Sequence, residues 1–185
     1  MTKSLVLTLL IAGCATSKQF VPPCPEAAAI GATGLYAHPP GEGWRVFALD
    51  APKGWLIANG DGTFRQQPPA LVAEHRKDGF ITFQSRRAGA YTPPGFAAAL
   101  AYSHAVGPSR TATFVPVSED YGEARSELLY LSQGDAPEYL RIIATRSARE
   151  PGTLIGSVGR WPKEAHKRMS RVQTQLLSEM TESCR

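Results

Sequence analysis

Glu138-Tyr139-Leu140-Arg141-Ile142-Ile143-Ala144-Thr145 is the stretch whose reading decides the fold. Successive side chains of a strand point to opposite faces. Leu140, Ile142 and Ala144 therefore share one face, and Tyr139 and Ile143 the other. Apolar groups on both faces imply a sheet covered on both sides. Helical patterns on either side of this stretch supply the covers. Pro162 suits a helix start and Glu164 suits the positive end of its dipole. Beyond them Ala165, Met169, Val172, Leu176 and Met180 fall at helical spacing, an amphipathic stripe that packs on a sheet. Upstream, Pro94 opens a second helix. Phe96, Leu100 and His104 lie on one face of it, with Ala97 and Ala101 beside them, and Gly107-Pro108 stops it.

Further strands are expected at 44–49, 55–58, 71–75, 80–85, 112–117, 124–131 and 153–159. Pro52-Lys53-Gly54, Asn59-Gly60-Asp61-Gly62 and Arg76-Lys77-Asp78-Gly79 supply turns. The expected fold is α+β: an antiparallel β-sheet flanked by helices, an α/β/α sandwich. Ahead of it, Pro22, Pro23, Pro25, Pro39 and Pro40 interleave with Gly31, Gly34, Gly41 and Gly43. Pro and Gly at this density break helices and strands, so this segment reads as a spacer.

The first residues carry an address. Lys3 precedes an apolar run, residues 5–12, which is far shorter than the about 20 residues that span a bilayer. Leu10-Ile11-Ala12-Gly13-Cys14 ends it with small residues and a cysteine, the pattern of a bacterial lipobox. The reading divides the chain into a signal peptide at 1–13, a lipidated N-terminus and tether at 14–42, and one domain at 43–185. Lipid on Cys14 would anchor the chain in a membrane, each buried CH₂ contributing about 0.8 kcal/mol. Ala15, rather than Asp, after the cysteine suggests sorting to the outer membrane, with the domain facing the periplasm.

Two cysteines remain, Cys24 and Cys184. An even number in an oxidising compartment predicts a disulfide. It would close a loop of about 160 residues, worth roughly 4 to 5 kcal/mol by chain entropy. The charge is mildly basic, with 20 Lys and Arg against 16 Asp and Glu. Lys163, Lys167, Arg168 and Arg171 cluster on the last helix. We read them as a solvated face, with contact to anionic lipid as the alternative; no nucleic-acid partner is expected.

At Phe47-Ala48-Leu49-Asp50-Ala51-Pro52-Lys53-Gly54-Trp55 a strand runs into Pro-x-Gly-Trp. This opening resembles domains of the Mog1/PsbP-like fold. The order of elements from about residue 43 to 183 is similar to it throughout, and small bacterial envelope lipoproteins of the DcrB and LpqN types are among the resembling proteins. The segment between Trp55 and Leu71 is longer than the resemblance calls for. The family implies binding or support of other proteins and no shared catalytic residues; Trp55 matches its packing aromatic.

The residues themselves give no catalytic constellation. His38, His75, His104 and His166 lie in no metal-ligand spacing, so neither a metal nor another cofactor is expected. His104 reads as a core or boundary histidine. Glu74 and His75 should point to opposite faces of their strand. Ser157 lacks the glycine and the following helix of a nucleophile elbow. Glu119, Asp120 and Glu123 read as an acidic loop. Arg86, Arg87 and Tyr91, in a stretch ending at Pro93, read as a loop suited to a protein partner. The expected function is that of a lipid-anchored, non-enzymatic envelope adaptor binding an envelope protein. A lipoprotein that holds a small molecule or lipid in a core cavity is the alternative.

Overall fold

The computed structural model describes residues 33, 35, 37–49, 56–58, 64–66, 70–89, 91–106 and 112–181. Cys14, Cys24, Cys184, Trp55 and the turns at 52–54 and 59–62 lie outside them. In chain order the elements are β1 (Trp44–Leu49), β2 (Leu56–Ala58), β3 (Phe64–Gln66), β4 (Ala70–His75), β5 (Gly79–Arg87) and α1 (Pro93–Ala101). A π-helical turn, Tyr102–Val106, extends α1. Then come β6 (Phe114–Tyr121), β7 (Arg125–Ser132), β8 (Glu138–Arg146), β9 (Thr153–Pro162) and, after a 3₁₀ turn, α2 (His166–Thr181).

Seven strands form one antiparallel sheet in the order β1-β4-β5-β9-β8-β7-β6; β2 and β3 pair separately. β8 lies inside the sheet, and its alternation divides the core as its sequence predicts. Leu140, Ile142 and Ala144 join Phe96, Ala97, Leu100 and Ala101 of α1. Ile143 joins Met169, Leu176, Leu177 and Met180 of α2, with Tyr139 packed against them. One helix covers each face, so the fold is α+β and a sheet lies between two helices.

Local chemistry sets where the helices begin and how closely they approach. Thr92 caps α1, its Oγ1 accepting from the Gly95 amide at 3.3 Å, and Pro93 fits the first turn. Gly156 on β9 lets α1 sit close: a Cβ there would stand 2.7 Å from both Leu100 and Phe96. α2 carries its stripe as expected, with Val172 only half-buried and Gln173 and Leu177 added to the buried side.

Three boundaries differ from expectation. Thr33, Leu35 and Ala37 are buried, and Ser85 Oγ reaches the Thr33 carbonyl at 3.5 Å. The packed body thus extends ahead of Gly43 into the segment read as spacer. β5 runs on through Arg86 and Arg87 because β9 pairs with it to Thr153. β6 runs to Tyr121, so Glu119 and Asp120 belong to a strand and not to a loop. Among the described residues no helix is long and apolar enough to cross a membrane.

Candidate functional site

β1 ends the sheet, and no described strand pairs with its outer side. Its start meets the turn between β4 and β5 beside a surface groove of about 630 Å³. Glu42, Gly43, Trp44, Arg45, Glu74 and Arg76 line the groove. Strand alternation separates Glu74 from its neighbour, as expected. Glu74 turns to Arg45 on β1, Oε2 to Nη2 at 2.5 Å, and the Arg45 guanidinium lies 5.8 Å from the Phe47 ring. His75 turns to the other face, where its Nδ1 is 2.7 Å from Asp78 Oδ2. The same oxygen pairs with Arg168 of α2, which holds the turn against the helix. The His75 ring tilts against Trp44, centroids 5.2 Å apart. Gly43 is at φ +81°, and a Cβ there would press to 3.0 Å from His75 Nε2, so both backbone and space require glycine. The groove therefore offers an indole and charges of both signs beside a strand edge that no described strand pairs. Such an edge can add a strand from a partner through main-chain hydrogen bonds.

Other polar groups are engaged in holding the fold. Arg141, on β8, crosses under α2. It donates to Glu127 Oε1, to the Ser170 carbonyl at 2.8 Å and to Thr174 Oγ1 at 3.1 Å. Partial burial pushes the Glu127 carboxyl up, but Arg141 and then Arg125 outweigh it and hold it below the usual range. Gln173 is fully buried and donates to Ser157 Oγ at 2.9 Å and to the Arg141 carbonyl at 3.2 Å. Ser157 is thus a buried packing residue on a strand. Trp161 Nε1 donates to His166 Nδ1 at 3.3 Å, and Tyr139 lies 4.1 Å from the same ring. Ser170 Oγ is 3.5 Å from that nitrogen, which Trp161 already occupies, so the pair does not make a base-activated hydroxyl. Burial, then the Arg141 charge, lowers the His166 pKa.

On the opposite face the π-helical turn carries His104, whose pKa falls through burial and then through Arg160. Arg160 pairs with Glu138 at 2.5 Å and lies 5.7 Å from the Phe114 ring. Tyr130 donates to Glu119 at 2.6 Å. Burial first, and then Glu119, raise the pKa of Tyr130, and the same two causes raise that of Tyr121. Among the described residues no group of three His, Cys, Asp or Glu could hold a metal ion.

The stretch read as a partner-binding loop is not one loop. Arg86 and Arg87 are in β5, opposite Leu154 and Thr153, and the pleat sends them to opposite faces. Tyr91 is half-buried and stacks 5.7 Å from Phe96. The correction follows from β9, whose pairing extends a strand that its own polar end does not advertise. The groove residues were missed in turn because nothing in their order announces an edge; Trp44 reads only as a strand residue. No family model matches the chain, and no curated protein shows recognisable similarity to it.

Proposed function

We propose that this chain is a lipid-anchored, non-enzymatic adaptor of the bacterial cell envelope. In this reading Cys14 carries the lipid, and an α+β domain of the Mog1/PsbP-like kind is presented to an envelope protein, facing the periplasm from the outer membrane. The observation that carries the binding part is the groove at the edge of β1 that no described strand covers, lined by Trp44 with Arg45, Arg76, Glu42 and Glu74. Aromatic and arginine side chains are the residues that dominate protein interfaces. The anchoring part rests on Leu10-Ile11-Ala12-Gly13-Cys14. The order of elements supports the family reading, and the hairpin of β2 and β3 occupies the segment that is long for it.

The small-molecule alternative would use the same groove. Its volume is within the range of ligand pockets, but such pockets are mostly apolar, and this one has four charged residues. A photo-crosslinking residue at Trp44, introduced in the host cells, tests the adaptor reading. It should capture one envelope protein reproducibly, and Arg45→Glu should abolish the capture. Capture of nothing, or capture that is indifferent to Arg45→Glu and to loss of Cys14, would contradict it.

A further inference from the structure

Among the described residues, basic side chains gather on one face. Lys163, Lys167 and Arg171 recur every four residues along the exposed side of the 3₁₀ turn and the first half of α2, with Arg168 beside them. The Asp78–Arg168 pair pins the β4–β5 turn to this helix and so adds the exposed Arg76 and Lys77. Six cations lie here against Asp78 and Glu164, with Glu42 and Glu74 beside Arg76 on the groove side. Asp78 is already shared between His75 and Arg168. None of Arg76, Lys77, Lys163, Lys167 and Arg171 forms an ion pair with a described carboxylate. Helix stability does not account for Lys163 and Lys167, since the first turn of a helix favours anions and opposes cations. The second half of the same exposed side carries Gln175 and Glu179, bonded to each other, so the charge is confined to the end near the turn.

We propose that this face is a platform for anionic phospholipid headgroups, which lays α2 and the β4–β5 turn along a membrane surface. A basic face of this size fits an anionic leaflet, where each cation near the surface adds to binding. The inference stands on the charge distribution. The Cys14 reading supplies a membrane nearby but is not required for the patch to bind.

The test is sedimentation of the full chain carrying Cys14→Ser with vesicles of phosphatidylcholine alone or mixed with phosphatidylglycerol. Binding should appear with the phosphatidylglycerol vesicles above the phosphatidylcholine background and weaken as salt rises. Removing a cation should cost roughly fivefold, so Lys163→Ala, Lys167→Ala, Arg171→Ala together should cost on the order of 100-fold. Arg146→Ala, an exposed cation at the end of β8, should have little effect. Equal binding to both vesicle types overturns the proposal. So does a triple variant that binds as the parent does; an acidic protein would then be the patch's partner. Because the anchor cysteine is absent from the test, neither result bears on lipidation.

Discussion

Arg141 ties β8 to α2 and to Glu127 on β7. It brings a guanidinium under a helix and satisfies a carboxylate, a carbonyl and a hydroxyl there. Removing it strips a charged donor from three part-buried acceptors at once, although Arg125 and Thr174 still reach two of them. Arg141→Ala should destabilise by about 2–4 kcal/mol in chemical denaturation. Arg125→Ala, which breaks only the exposed pair with Glu127, should cost about 0.5 kcal/mol or less. Titration adds a pH dependence. His104 and His166 both have folded pKa values below 6.5, so the unfolded chain takes protons first as the pH falls. The two histidines should leave stability flat between about pH 7 and 9 and make it decline below 6.5, until their folded values are reached. Glu127 adds to the loss further down. Its folded pKa lies below 4.5, so its contribution is present above that value and disappears as the pH falls through the folded one. Denaturation midpoints measured across this range should fall less steeply near pH 6 for His104→Gln, His166→Gln than for the parent.

Elements are placed by how closely they can approach. Gly156→Ala would push a methyl group into Phe96 and Leu100, both buried, and lift α1 from β9. It should cost about 1–3 kcal/mol, the usual cost of overpacking, read as a lowered denaturation midpoint. Thr92→Ala should cost about 1 kcal/mol by removing the cap of the same helix. The sequence is legible at this scale where a pattern is local. The two-faced alternation of β8 and the stripe of α2 are written in consecutive residues, and both faces of the sheet follow from them. It is illegible where a neighbour decides. Arg86 and Arg87 look like loop residues and become strand because β9 pairs with them. Leu35 and Ala37 sit among prolines and glycines and are buried only because the sheet offers them a place. The β1 groove is likewise formed by residues far apart in the chain, Glu42 to Arg45 with Glu74 and Arg76.

Across the whole molecule, the proposed lipid at Cys14 and the proposed basic platform at the start of α2 would act together with the mixed-charge groove at the β1 edge. Asp78 links the last two. It fixes the turn whose Arg76 lines the groove, and it holds Arg168 on the helix. Asp78→Asn should therefore weaken capture at Trp44, by less than the direct substitutions do. The expected Cys24–Cys184 bridge makes a separate prediction: without reduction, alkylation of the purified protein should label neither thiol. Intact-mass analysis of the protein extracted from host membranes decides whether Cys14 is an anchor. A chain that begins at Cys14 and carries acyl groups on that residue is expected. A chain that retains Met1, or one cut elsewhere with a free Cys14 thiol, would contradict it.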